Sequence, residues 1–232
     1  MKSAFLWQYA FDYFPKILRK VPTTLSIVLA ATILGIILGV IIAFLRLEKV
    51  PILNILCKLF VSFSRGTPIL IQMFVVYYAL PALFAAIGIH LYRWEKIYYL
   101  YITYGLNTGA YFSEIFRSAI LSVPKSQMDA AAAVGMTKFN AYFRIIIPQS
   151  IIIAIPSVGA MIAALLQDSS LGFAFGIIDV IGQVNVVGTR STRILEGYFD
   201  AAIIFSVLTI VIEKLFGFIE SKTRYQKLVS KQ

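Results

Sequence analysis

A single cysteine, Cys57, and a single histidine, His90, stand in 232 residues. One thiol cannot close a disulfide within the chain, and Cys57 is expected to be reduced near the cytoplasmic start of an apolar run. One imidazole cannot build a histidine-based metal cluster, so no metal site is assigned. No glycine–lysine P-loop occurs, so the chain is not expected to bind ATP by itself, and no cofactor is assigned to it. No G-x-S-x-G elbow occurs either, and no catalytic residue is assigned: the chain is not expected to be an enzyme. Charge is also scarce, at 14% of residues, and it is segregated. Val21 to Leu45 and Ile145 to Gln167 carry none, and Gly66 to Tyr92 carries only the neutral His90.

What fills the chain instead is apolar. Hydrophobic residues make up 59% of it and the mean hydropathy is +0.84, more apolar surface than one water-exposed core can hide. Crossing a ~30 Å hydrocarbon core takes about 20 helical residues. The uncharged runs meet that length. Two further runs are less clean: Ile97 to Val123 holds Glu114 and Arg117, and Phe199 to Ile219 holds Asp200, Glu213 and Lys214. The reading is an all-α membrane protein with five transmembrane helices, near 21–45, 59–82, 97–121, 148–167 and 199–219. They form a transmembrane domain over 21–220, preceded by an N-terminal amphipathic segment (1–20) and followed by a cytoplasmic tail (221–232).

In the N-terminal segment aromatics precede Lys16, Arg19 and Lys20, an order that does not fit a cleavable signal peptide and suits a helix on the membrane surface. Orientation follows from lysine and arginine in the connecting segments. With the C-terminus inside, eleven basic residues fall on the cytoplasmic side and eight outside, so the N-terminus is expected outside and the segment after Asp129 inside. The net charge of +10 suits anionic membrane lipids and gives no reason to invoke nucleic acid.

One polar interruption stands out. From Asp129 to Pro148 the chain reads DAAAAVGMTKFNAYFRIIIP. Pro124 suits a helix start, Gly135 a left-handed stop, and four consecutive alanines lie between them. The residues alone describe a short capped helix outside the bilayer, either a bare connector or a surface offered to a partner.

The spacing of this segment resembles the EAA loop, E-A-A-x3-G-x9-I-x-L-P, of permease subunits of bacterial ATP-binding-cassette importers, with Asp129 in place of Glu and Ile147 in place of Leu. SRGTPILI (64–71), AYFSEIFRSAILSV (110–123) and QDSSL (167–171) are similar, in the same order, to segments of the polar amino acid group of that family. Ser118 and Ala119 replace its paired glycines, and Gln167 and Ser169 replace its lysine and threonine. The resemblance implies a type I ABC importer permease fold, with a cytoplasmic coupling helix over Val123 to Gly135 that seats in an ATPase subunit.

It further implies Asp129, Ala130, Ala131 and Gly135 as coupling residues. The expected partners are two ATPase subunits that bind and hydrolyse ATP, a second permease subunit (the same chain or a paralogue) and an extracytoplasmic amino-acid-binding protein. Polar groups flanking the family motifs are expected to line the substrate pathway: Asn107, Thr108, Ser113, Glu114, Ser157, Gln167, Asp168 and Ser170. An isolated charge in hydrocarbon is costly, so an ion pair between Arg65 and Glu114 is expected. SSLGFAFGIIDVIG (169–182) resembles the matching part of cystine permeases, which makes cystine or a related sulfur amino acid the expected refinement. A secondary transporter or channel subunit working without an ATPase, and a membrane scaffold, stay open at this point.

Overall fold

A computed structural model describes residues 5–223, and among them only helices and their connections occur. They are α1 (Trp7–Leu18), α2 (Val21–Leu47), α3 (Leu53–Gly66), α4 (Ile69–Ala85), α5 (Lys96–Ser122), α6 (Lys125–Ala133), α7 (Lys138–Ala141), α8 (Ile147–Asp168), α9 (Val180–Ser191) and α10 (Ile194–Lys222). A π turn, Tyr142–Ile146, joins α7 to α8, and short 3-10 helices cover Leu91–Arg93 and Ser169–Phe175. Most of the expected tail lies outside the described residues.

The centre of the molecule is the pair α2 and α5. They run parallel, from a contact of the Ser26 and Tyr101 hydroxyls (3.1 Å) at one end to the Arg46–Glu114 ion pair (2.5 Å) at the other. Lipid tails are as apolar as leucine, so packing and hydrogen bonds must hold such a pair together. Gly35 and Gly39 of α2 supply the close approach. A Cβ on Gly39 would lie 2.7 Å from Cβ of Phe112, and one on Gly35 would lie 2.9 Å from Cβ of Thr108. Gly105 and Gly109 of α5 do the same in return, against Leu34 (2.8 Å) and Leu38 (2.9 Å). Both pairs have the spacing G-x-x-x-G. Being enclosed by protein, α5 buries Thr103, Asn107, Thr108 and Ser113. That is why its run is less purely apolar than those facing lipid.

Among the described residues, three helical runs are long and apolar enough to cross a membrane: α2, Lys138–Phe175 and α10; α3 with α4 makes a fourth if the bent pair counts as one span. The expectation of one helix over 59–82 needs correction. The chain breaks at Thr67–Pro68 and bends by 119° between α3 and α4. Pro68 excludes the helical conformation from Thr67, which is extended (φ −120°, ψ 144°). Pro148 stands in the first turn of α8, and the helical run that leads to it is continuous from Lys138 through the π turn. The wider π turn, with the Ile147 N–H donating to the Tyr142 carbonyl, sits where the proline lacks a donor and its ring would press on the preceding turn.

The N-terminal helix packs on protein by one face. Tyr13 and Ile17 of α1 join Val180, Val184, Ala201 and Ile204 of α9 and α10 in a buried cluster, while Trp7 and Phe11 stay exposed. The long connector after α8 is thus largely the packed helix α9. Asp179 caps α9, its Oδ1 accepting from the Gly182 N–H at 2.7 Å. Burial pushes the Asp179 carboxyl up to about 6, against the cap bonds that favour its charged form.

Candidate coupling helix and polar face

The sequence DAAAAVG folds as its residues dictate. Pro124 stands at the N-cap of α6, and Gly135 takes the left-handed conformation (φ +77°) just past its end. There the Gly135 N–H donates to the Ala132 carbonyl and the Met136 N–H to the Ala131 carbonyl, both at 3.0 Å. This paired closure satisfies carbonyls that a helix end otherwise leaves open. Asp129, Ala130 and Gly135 are exposed, whereas Ala131 is buried and serves as the inward face of the helix. Exposed Val134, Phe139 and Phe143 lie just beyond, the two rings stacked at 5.5 Å. Sequence reasoning passed over this aromatic pair, whose signal was the i, i+4 spacing of two phenylalanines in a polar segment.

The expected Arg65–Glu114 ion pair is not formed. Glu114 is held instead by Arg46 of α2 (2.5 Å) and by Arg117 one turn along α5 (2.8 Å). Arg65, at the end of α3, lies over the ring of Tyr111, 5.5 Å from its centroid. Arg46 was passed over because it sits at the end of a span, where a basic side chain reads as an interfacial anchor.

Among the residues expected to line a pathway, Asn107 has a defined partner set. Its amide donates to the Ser64 carbonyl (3.1 Å) and to Oε1 of Gln72 (3.2 Å). Gln72 in turn donates to the carbonyls of Ser64 (2.8 Å) and Thr67 (3.0 Å). These two amides satisfy the carbonyls that the α3–α4 break releases, which nothing in hydrocarbon could do. Gln72 was not among the expected residues. Thr108 and Ser113 are fully buried and bond to helix carbonyls, Thr108 to Ala31 across to α2 and Ser113 to Ala110. They are packing residues in this structure.

Ser157, Gln167 and Asp168 fall together on the uncovered side of α8, with Ser170 half-buried beyond them. That side, with exposed Pro156, Ala160 and Ala164, is small and polar. The uncovered sides of α2 and α10 carry Leu29, Ile33, Ile37, Val207, Val211 and Leu215. Large aliphatic side chains suit lipid, whereas a carboxylate and an amide in a span need water or protein. The far end of this face is tied to α5, where the Tyr104 hydroxyl donates to the Asp168 carbonyl at 2.5 Å. No group of metal-ligating side chains occurs among the described residues.

An all-helical membrane protein with a small, polar uncovered face, a helix broken midway and a capped helix exposed at one end has the form of a transport permease. The chain belongs to the family of binding-protein-dependent transport system inner membrane components, whose profile matches residues 9–225. It is 39% identical over 205 residues to a probable amino-acid permease protein, YxeN, of Bacillus subtilis, covering 88% of this chain and 90% of the relative. To the L-cystine transport system permease protein TcyL of the same organism it is 34% identical, covering 97% and 94%. A crystal structure of an amino acid ABC transporter with histidines superposes with a TM-score of 0.84 at 25% identity, covering 94% of this chain and 99% of that one. The methionine transporter MetNI, in inward-facing form, shares the fold at a TM-score of 0.70 and 15% identity, over 88% of this chain and 94% of that one.

Proposed function

We propose that this chain is the membrane-spanning subunit of an ATP-driven amino acid importer, and that α6 with its flanks, Val123 to Gly135, seats in a separate ATPase subunit. The observation that carries this reading is α6 itself. A nine-residue helix closed at its end, slim with alanine and standing free on its outer side, suits a groove on another protein. Asp129 supplies an acceptor at that surface. ATP is bound and hydrolysed by the partner, in two copies, and a second permease subunit, the same chain or a paralogue, completes the pathway. ATP can shift the permease between inward-facing and outward-facing states only if the ATPase binds those states with different affinity. The α6 end is then cytoplasmic, the C-terminus with it and the N-terminus outside, where the binding protein delivers substrate.

The uncovered side of α8 and the Asn107 elbow supply the substrate contacts in this reading. A zwitterion needs an acceptor for its ammonium and donors for its carboxylate. Asp168 offers the first; Ser157, Gln167 and Ser170 offer hydroxyl and amide groups. The likeness to the cystine permease TcyL supports cystine or a related sulfur amino acid as the substrate. Uptake by proteoliposomes holding the permease, its ATPase and the binding protein tests the reading. Transport should require ATP, and deleting Asp129 to Ala133 should abolish both uptake and co-purification of the ATPase. Uptake without ATP, or with no ATPase present, would refute it.

A further inference from the structure

Glu48 and Lys138 each occupy a helix pole of the wrong sign. Glu48 is the C-cap of α2, where carbonyl oxygens concentrate negative partial charge. Lys138 is the first residue of α7, where free amides concentrate positive charge at the head of the long run into α8. Alone, either charge would be disfavoured there. Together they meet: Nζ of Lys138 lies 3.0 Å from both carboxylate oxygens of Glu48. Exposed ion pairs in general contribute little, but this one relieves two unfavourable placements at once. It also joins residues 90 positions apart.

What it joins gives it a role. The ion pair of Arg46 with Glu114 fastens the end of α2 to α5, the helix that leads into α6. Two residues further on, Glu48 fastens the same end of α2 to α7, the helix that leads out of α6. Both flanks of α6 are thus tethered to one helix end. That end stands on the tight glycine contacts between α2 and α5. The connector that follows holds Lys49 and Ile52 at positive φ (50° and 65°), a strained conformation that persists only where the surroundings fix it. On the other side, the π turn lies between Lys138 and the body of α8.

We propose that the Glu48–Lys138 pair is a coupling strut: it makes α6 and α7 move with the α2–α5 body, so that a displacement of α6 reaches the core through α2. Glu48 and Lys138 act as positioning residues and touch neither substrate nor nucleotide. The proposal rests on α6 being the ATPase-docking helix.

The test is made on the assembled complex in proteoliposomes, reading amino acid uptake per ATP hydrolysed. Glu48→Lys and Lys138→Glu should each lower that ratio, by roughly fivefold for a coupling position, while the ATPase still co-purifies. The double reversal should restore it, since it re-forms the pair with each charge at its favoured pole. Single reversals that leave the ratio within about twofold of wild type would overturn the strut. So would a loss that the double reversal does not restore, or single reversals that lose the ATPase, which would make the pair part of the docking surface. If the wild-type permease itself captures no ATPase, the docking reading of α6 fails first.

Discussion

Glycines in this chain act in two different ways, and substitution separates them. At Gly39 the space is closed: a methyl group would stand 2.7 Å from Cβ of Phe112 and 3.1 Å from backbone. Neither can yield without parting α2 from α5. Gly39→Ala should therefore lower unfolding stability in detergent by about 1–3 kcal/mol, as overpacking does. At Gly135 nothing lies within 4 Å of an added Cβ, and only the left-handed backbone resists. Gly135→Ala should cost about 1 kcal/mol, confined to the end of α6, and should leave the global transition almost unmoved. Asp179 yields a pH prediction. Its folded value of about 6 lies above the ordinary 3.8, so the folded state holds the proton more tightly than the unfolded chain does. Stability from this group is then fully present below about pH 4, falls as pH rises towards 6, and stays level above. Asp179→Asn, which keeps a capping oxygen, should remove that slope, whereas Asp179→Ala should cost about 1 kcal/mol for the lost cap. Thermal unfolding across pH 4 to 7 checks both.

At the scale of elements, what could be read in the sequence depended on whether its signal was local. The α6 helix was legible because its start, its alanines and its stop all lie within a dozen residues. The break between α3 and α4 was not taken from Thr67–Pro68, because the apolar run continues across it and hydropathy is blind to direction. What sustains the break is non-local: Gln72 and Asn107, from two helices, satisfy the carbonyls of Ser64 and Thr67. The same non-locality misassigned Glu114, whose partner Arg46 is 68 positions away and stands at a span end. If the elbow depends on these amides, Gln72→Leu should cost about 1–3 kcal/mol, the penalty for leaving a buried carbonyl without a donor. Asn140→Leu, at an exposed position of α7, should cost little. Unfolding of the two variants under one detergent condition makes the comparison.

Across the whole molecule, the contrast between uncovered faces bears most directly on transport. Every outer helix has a side that no other helix covers, and hydropathy alone would assign all of them to lipid. Side-chain size and polarity divide them. The α2 side is apolar and bulky along its length, whereas the α8 side carries Ser157, Ala160, Ala164, Gln167 and Asp168. An uncovered carboxylate at the end of a membrane helix implies contact with water or with a second subunit, and a permease that moves a zwitterion needs both. With Cys57 replaced by serine, single cysteines at Ser157, Ala160 and Ala164 should react with a membrane-impermeant thiol reagent in the assembled importer, and substrate or trapped nucleotide should change their rates. Cysteines at Leu29, Ile33 and Ile37 of α2 should stay unreactive, since lipid excludes the charged reagent and keeps a thiol protonated. Equal reactivity on the two helices would remove α8 from the pathway. Labelling at α8 that no ligand state alters would make its small, polar side a static contact between subunits, and the substrate contacts would then have to be sought at the Asn107 elbow.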